Sequence, residues 1–463
     1  MVTSGRKTTQ EDMSSRASRR TARKEPAPGL VLVFSVDGPR CDVLPLEGRE
    51  LTIGRGKAAG VDLDDPQISR RHARVRREAG RWEVEDLGSR NGTWVDGEPL
   101  TGLSAGAKPR LVRAGSSVFL IEDDVEPFRA GVSTAGGTVL GPSLARLWEA
   151  IGRAARFGSV LHVTGASGTG KEHAARAFHA LGPRRDGPFV AVNCAAIPEG
   201  LAERLLFGAR KGAYSGAAAD AEGYVQAARG GVLFLDEVAE LDARVQAKLL
   251  RALEAKEVIP LGASRPVKVD FALVSATHKN LRAHVAAGKL REDLFFRIAR
   301  PEARLPRLQD RREEIPWLLD AALREAEALG AAAEEGTPLR VHASLVEACL
   351  LRPWPGNVRE LMSEIRTAVQ EARSAGSAAV EAQHLSPSAG HAFAPAQERP
   401  AAAANAAPTG RKGPWPADAV IDEALRREGG NVARAARALG MHRTQLRRWL
   451  ARRASEGDSE REG

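Results

Sequence analysis

Gly165-Ala166-Ser167-Gly168-Thr169-Gly170-Lys171 follows the apolar run Val160-Leu161-His162-Val163 and precedes a helical period beginning near Glu172. The spacing is Gly-x4-Gly-Lys, the P-loop form, and strand, loop and helix stand in the order that form requires. Glycines let consecutive backbone N–H groups converge on phosphate oxygens, and the helix N-terminus adds its dipole. The stretch predicts an α/β nucleotide site in which Lys171 reaches the β- and γ-phosphates of ATP. Glu172 stands where Ser or Thr normally holds magnesium.

Working outward, Phe189-Val190-Ala191-Val192, Val232-Leu233-Phe234-Leu235 and Phe271-Ala272-Leu273-Val274 are further apolar runs separated by helical periods. Continuous apolar strands of this kind suit a parallel sheet covered on both faces. The second run ends in Asp236-Glu237. Two acids at the end of a buried strand are costly unless a cation or substrate uses them. Asp236 is placed to help hold Mg²⁺ through water, and Glu237 to polarise an attacking water.

The 463 residues suffice for several domains, and 43% hydrophobic with 27% charged residues is ordinary for soluble globular protein. No apolar run is long enough to span a bilayer. Met1 to Gln10 are polar and basic with no apolar segment behind them, so no secretory signal is expected. Cys41, Cys194 and Cys349 lie far apart without metal-type spacing, which suits a reducing cytoplasm and no structural disulfide. The net charge of +9 favours a polyanionic partner. Basic residues crowd both ends, including Arg447, Arg448, Arg452 and Arg453 near the C-terminus.

Composition divides the chain. Residues 1–29 read as a disordered basic tail. From 30 to 125, short alternating apolar runs between turn residues predict an all-β sandwich. Residues 126–138 read as linker, 139–307 as the α/β ATPase subdomain and 308–380 as a helical lid. An Ala/Pro-rich linker spans 381–413, helices occupy 414–456, and 457–463 form a disordered tail.

Residues about 139 to 375 resemble the AAA+ domain of sigma-54-dependent transcriptional activators, the bacterial enhancer-binding proteins. Glu172 after the P-loop lysine is similar to that family's version, although the family usually has Glu where this chain has Ala166. Phe207-Gly208-Ala209-Arg210-Lys211-Gly212-Ala213-Tyr214-Ser215-Gly216-Ala217 resembles the family's surface loop, commonly Gly-Ala-Phe-Thr-Gly-Ala, which engages sigma-54. The resemblance implies sigma-54 contact by Gly212, Ala213, Tyr214, Ser215, Gly216 and Ala217. It implies that Asn193 restrains the catalytic glutamate and that Thr277 and His278 occupy the sensor I position. It further implies that Arg291 and Arg297 reach the γ-phosphate of a neighbouring subunit. Trp354-Pro355-Gly356-Asn357-Val358-Arg359 resembles the sensor II segment, with Arg359 on bound nucleotide. Arg307 and Gln309 depart from the family's usual Pro-Leu-Arg-Glu-Arg core. The nucleotide-binding set is then Gly165, Ala166, Ser167, Gly168, Thr169, Gly170, Lys171, Glu172, Thr277, His278 and Arg359.

Gly54-Arg55, Ser69-Arg70-Arg71-His72 and Asp86-Leu87-Gly88-Ser89-Arg90-Asn91-Gly92-Thr93 stand at strand ends. They resemble the forkhead-associated (FHA) domain, which binds phosphothreonine peptides. Arg55 and Ser69 can bond a phosphate and Asn91 a peptide backbone, with Arg70 or Ser89 assisting. His72 is read as a brace between loops. At the other end, Gly429-Gly430-Asn431 and Gly440 punctuate three helices, a helix-turn-helix that resembles the Fis-type domain. Its last helix should enter the major groove of double-stranded DNA with His442, Arg443, Thr444, Gln445 and Arg447 as base contacts. Arg448, Arg452 and Arg453 more naturally meet phosphates.

The combined expectation is a cytoplasmic, DNA-bound AAA+ ATPase using ATP and Mg²⁺. By family likeness it is a hexamer that remodels sigma-54 RNA polymerase from upstream activator sites, regulated by a phosphothreonine protein or peptide. Two alternatives stand beside it: a DNA-binding regulator without sigma-54 contact, and a phosphopeptide adaptor with an inert ATPase.

Overall fold

The computed structural model describes residues 26–393, apart from 47, 49, 57–60, 106–108, 199, 215–217 and 331–338, and then 418–428 with 432, 435, 439, 446 and 450. The first part of the chain forms two packed sheets. One runs in the order Gly38–Pro45, Gly29–Ser35, Ser117–Glu122, Leu111–Ala114, Thr93–Val95, Glu98–Pro99. The other runs Val61–Asp62, Glu50–Gly54, Ala73–Glu78, Arg81–Asp86, Leu103–Ala105. In the second sheet polar and apolar residues alternate, as a strand with one wet face requires.

Gly29–Ser35 and Ser117–Glu122 are apolar on both faces because both faces are covered. Leu30, Leu32, Phe119 and Ile121 fill the sandwich. Val31, Val33, Val118 and Leu120 belong instead to a core shared with the helical lid. Leu111 joins them, while its neighbours Val112 and Ala114 face inward. A register shift between Leu32 and Phe34 lets Val33 and Phe34, though consecutive, both join the lid core.

The lid supplies the other side of that seam. Its helices are Ile315–Gly330, Ala343–Leu351 and Asn357–Ser374. Leu318, Leu319, Leu345, Val346 and Leu350 are buried in the shared core. The connecting residues add to it: Glu126–Ala130 forms a 3-10 turn, and Phe128 and Val132 pack on the same cluster. Each fully buried Val or Leu is worth about 1.5–3 kcal/mol. The sandwich and the lid are therefore held as one packed body over residues 26–393, not tethered by a free linker. The chain stays structured past residue 380, with a turn at Ala382–His384 and a bond from Trp354 N to Gly390 O at 2.9 Å.

The ATPase sheet is parallel, in the order Phe189–Asn193, Val232–Asp236, Ala272–Thr277, Val160–Thr164, Glu302–Arg304. Alternate residues feed two layers. Val232, Phe234 and Val274 meet Trp148, Ile151 and Phe178 on one side. Leu233, Leu235 and Leu273 meet Leu249, Leu294 and Ile298 on the other. The strand Glu302–Arg304 escapes a reading of apolar runs, since Ala303 alone of its residues is buried.

Where lid, P-loop and sandwich converge, Arg311, Glu313 and Glu314 are buried. Glu314 accepts from Gly141 N (2.8 Å) and from Arg311 Nη1 (2.7 Å). Burial, reinforced by the neighbouring Glu314, pushes the Glu313 carboxyl up to about 7; Arg311 opposes this, and Glu122 across the seam adds to it. A carboxyl raised by folding holds its proton in the native state while the unfolded chain has lost it. Stability therefore falls as pH rises from the ordinary 4.5 through about 7. Thermal midpoints taken at about pH 5 and about pH 8 should show that loss, and Glu313→Gln should flatten it.

The second unit, residues 394–463, is described by itself. Asp418–Arg427 is a helix whose Ile421 is buried with Ala435 and Leu446 in a small core that Leu425, Val432 and Leu450 flank. His442, Arg443, Thr444, Gln445, Arg447, Arg448, Arg452 and Arg453 lie outside the described residues. Among the described residues no helix is long and apolar enough to cross a membrane.

Candidate functional site

The P-loop joins Val160–Thr164 to the helix Lys171–Leu181. Lys171 is 8% exposed. Its Nζ lies 3.4 Å from Gly165 O and 3.7 Å from Glu237 Oε1. Thr169 Oγ1 donates to Ala166 O (2.8 Å), so residue 166 braces the turn through its carbonyl, which any side chain permits. Glu172 turns outward to an i,i+4 pair with Arg176. A cavity of about 940 Å³ opens beside the loop, lined in part by Ala166, Ser167, His278, Arg300, Arg304 and Arg307.

Glu237 follows the strand Val232–Asp236 with φ of 51°, a left-handed conformation that a glutamate rarely adopts. Such strain concentrates at functional sites. Thr277 Oγ1 donates to its Oε2 (3.0 Å), and His278 Nδ1 lies 2.9 Å from both of its oxygens. Burial alone would raise this carboxyl, but the His278 and Thr277 bonds with the Lys171 charge hold it below the usual range. Asp236 differs: burial raises it against the opposing charge of Lys171. The pair thus carries an ionised Glu237 beside a more basic Asp236. Cys194 is no nucleophile here, since burial, then the charges of Asp236 and Glu237, push its thiol up to about 12.

Asn193 is in register with Asp236 on the adjoining strand, and its Oδ1 accepts from Ala195 N (3.0 Å). The structure thus brings Lys171, Thr277 and His278 to Glu237, while the recorded bond of the Asn193 side chain caps a turn. For magnesium the donor set is sparse. Among the described residues no group of three or more His, Cys, Asp or Glu could hold a metal. A cation there would take most ligands from phosphate and water, with Asp236 beside it, as magnesium at nucleotides does.

The lid closes on the loop through Arg359, which motif reading names, and through Asn357 and Arg311, to which it gives no role. Asn357 is 2% exposed with φ of 53°. It donates to Ser167 O (2.9 Å) and accepts from Leu308 N (2.9 Å). Arg311 Nη2 donates to Thr169 O (2.9 Å), and Arg359 Nη1 reaches Ser167 Oγ (3.3 Å). Gly168 has φ of +74°, and a Cβ there would sit 2.0 Å from Gly356 O. Gly168→Ala must displace one backbone or the other and adopt a left-handed turn, itself costing about 1–2 kcal/mol. The variant should lower the thermal midpoint and loosen the 353–360 segment, measured as faster amide exchange there.

Arg291 and Arg297 sit at either end of the helix Glu292–Ile298. Arg291 pairs with Asp293 (2.7 Å), and Arg297 Nη2 donates to Leu253 O (3.2 Å). Phe296 between them is 68% exposed. On the 207–221 loop, an Ala209–Ala221 bridge ties the base and Asp220 accepts from Lys211 N (2.8 Å). Tyr214 lies under the Arg204 guanidinium, 4.8 Å from Cζ. Gly212 and Ala213 precede it; Ser215, Gly216 and Ala217 fall outside the described residues.

At one end of the sandwich, exposed Arg55, Arg70, Arg90 and Asn91 surround Ser69. Arg55 N bonds Ser69 O (3.1 Å), Arg90 N bonds Ser69 Oγ (3.0 Å) and Asn91 Nδ2 bonds Gln67 O (2.8 Å). Ser89 is committed to Asp86, donating from Oγ at 2.6 Å. Buried His72 accepts Ser69 N at Nδ1 (3.1 Å), which places its proton on Nε2 for Gly92 O (2.9 Å). The histidine thus ties two of the loops.

Comparison with known proteins identifies the domains. Residues 139–303 match the Sigma-54 interaction domain, 51–118 the FHA domain, 309–402 the AAA+ ATPase lid domain and 418–452 the Bacterial regulatory protein, Fis family. The response regulator protein PilR of Pseudomonas aeruginosa is 43% identical over 228 residues, 49% of this chain and 50% of that protein. The DNA-binding transcriptional regulator NtrC of Azospirillum brasilense is 40% identical over 226 residues, 49% of this chain and 46% of that protein. The chain thus spans about half the length of these curated relatives. The crystal structure of NtrX from Brucella abortus in complex with ATP aligns at 30% identity and a TM-score of 0.51, covering 69% of each chain. The chain belongs to the sigma-54-dependent transcriptional regulators, with an AAA+ domain and lid between an FHA domain and a Fis-type helix-turn-helix.

Proposed function

We propose that the chain hydrolyses ATP to remodel sigma-54 RNA polymerase at promoters where its helix-turn-helix binds upstream DNA, under control of a phosphothreonine partner at the FHA loops. The observation that carries this reading is Glu237, strained into a left-handed turn, ionised, and tied to Thr277, His278 and Lys171 beside the P-loop. A carboxylate so placed can orient water toward a γ-phosphate seated on the loop. Gly165 to Lys171 cradle the phosphates, Asp236 stands by the magnesium that offsets their charge, and Arg359 reaches over from the lid. Exposed Arg291 and Arg297 serve a neighbouring subunit, which couples turnover to assembly of a ring, a hexamer by family likeness. Gly212 to Ala217 carry Tyr214 and Ser215 to sigma-54, and hydrolysis moves that loop. Arg55, Ser69, Arg70 and Asn91 receive the phosphothreonine and its backbone, while Ser89 supports them through Asp86.

The test is transcription in vitro from promoter DNA carrying upstream sites recovered by chromatin mapping, with sigma-54 holoenzyme and the full chain. Transcript should require hydrolysable ATP and disappear with Lys171→Ala. Equal transcript with a non-hydrolysable analogue contradicts the reading.

A further inference from the structure

The seam between sandwich and lid is largely apolar, with polar contacts at its borders, among them Arg110 Nη1 on Leu351 O and the Glu313 region described above. At one such border Arg113 and Glu347 form an ion pair at 2.6 Å, with side chains only 12% and 6% exposed. Arg113 comes from the sandwich strand Leu111–Ala114 and Glu347 from the lid helix Ala343–Leu351. The Arg113 guanidinium also stacks on Trp94, its Cζ 3.7 Å from the ring centroid. Glu347 Oε1 is buried without a hydrogen-bond partner. A buried ion pair in such a place adds little stability, and its best-attested use is to fix register.

Both ends of this pair lead to sites. Trp94 is two residues beyond Gly92, whose carbonyl accepts a hydrogen bond from His72 Nε2 in the brace that also holds Ser69. A Cβ added at Gly92 would lie 3.5 Å from the Trp94 ring, so the ring packs beside this turn. On the lid side, Glu347 is two residues before Cys349, whose carbonyl accepts from Trp354 Nε1 (2.7 Å). Trp354 opens the turn that sets Asn357 and Arg359 on Ser167 of the P-loop. A path of contacts and two-residue chain steps thus runs from the Ser69 end of the sandwich to the nucleotide loop.

We propose that Arg113 and Glu347 form a latch through which phosphopeptide binding at the FHA loops, with the sandwich still docked, repositions the Ala343–Leu351 helix and so tunes the nucleotide pocket. This rests on the phosphopeptide reading given above. A peptide that orders the 89–92 loop acts on Trp94 and hence on the guanidinium stacked over it. The Gly97 backbone N–H also acts on the Glu347 carboxylate, whose Oε1 makes no hydrogen bond of good geometry, so a second bonding arrangement on the sandwich side is open to it. Release of the whole sandwich is disfavoured, because it would expose Val31, Val33, Leu120 and Leu345 together.

Coupling between two binding sites is reciprocal. The experiment measures the dissociation constant of fluorescent ADP on the full chain with and without a pool of phosphothreonine peptides of random flanks. It also measures that of the pool with and without ADP. The dephosphorylated pool and Arg55→Ala serve as controls. In the parent chain each ligand should change the other's affinity by the same factor, roughly fivefold or more. In the double variant Arg113→Met, Glu347→Leu, which keeps the seam apolar and filled, each ligand alone should bind as before while the factor falls to about one. A factor unchanged in the double variant overturns the latch and leaves the phosphopeptide reading standing. Arg55-dependent binding without any coupling in the parent chain also overturns the latch. Failure of the pool to bind the parent chain sinks both.

Discussion

Lys171→Ala is expected to lower ATP turnover by about 10²–10³-fold at saturating ATP, and to weaken ATP binding besides, while leaving the fold in place. The ammonium is held, 8% exposed, between Gly165 O and Glu237 Oε1 at the start of the helix, where phosphate charge must be met. Among the described residues, Lys171 is the ammonium or guanidinium that lies within 4 Å of Glu237. Removing one preorganised donor from a charge-stabilising site costs about 10²–10³ in rate, and a phosphate-binding lysine also contributes ground-state affinity. ADP release at saturating ATP gives the rate, and circular dichroism checks the fold. Turnover indifferent to this substitution would return the protein to the alternative of a phosphopeptide adaptor with an inert ATPase.

The second large effect is expected at Arg297. Arg297→Ala should reduce turnover by about 10³-fold, the scale of an arginine supplied in trans to a transferring phosphoryl group. Arg297 and Arg291 sit on a short helix with Phe296 exposed between them, a surface suited to a neighbouring subunit. The trans assignment has its own signature. A mixture of the Lys171→Ala and Arg297→Ala chains, each inactive alone, should regain turnover. In mixed rings an intact P-loop meets an intact arginine from the neighbour. A mixture as inactive as its components would place the arginine in cis or give it a structural role.

How much of this was legible in the sequence depends on what each residue's job leaves in the local pattern. The P-loop and Asp236-Glu237 were readable because glycine spacing and an acid pair after an apolar strand are local signatures. The resemblance put Thr277 and His278 at the sensor I position and gave the restraint of the glutamate to Asn193; that Thr277 and His278 hold Glu237 is visible only in the tertiary structure, since the two segments are forty residues apart. Asn357 and Arg311 clamp the P-loop from the lid, yet in sequence they look like a turn residue and one charge in a polar run. Only tertiary placement turns them into partners of Ser167 and Thr169. The seam left a signal that period-two reading passed over. In Gly29–Ser35 and Ser117–Glu122 the apolar residues do not alternate, and an antiparallel strand apolar on both faces must be covered twice. Ala166, unusual for the family, is accommodated because the turn uses the carbonyl of that residue.

In the proposed function, hydrolysis acts on sigma-54. The most direct measurement is capture of purified sigma-54 by the full chain carrying ADP–aluminium fluoride, compared with ADP alone and with Tyr214→Ala. Retention with the transition-state analogue only, abolished by Tyr214→Ala, is the predicted result. No retention under any nucleotide, or retention untouched by Tyr214→Ala, would contradict it and favour a DNA-binding regulator that works without sigma-54 contact.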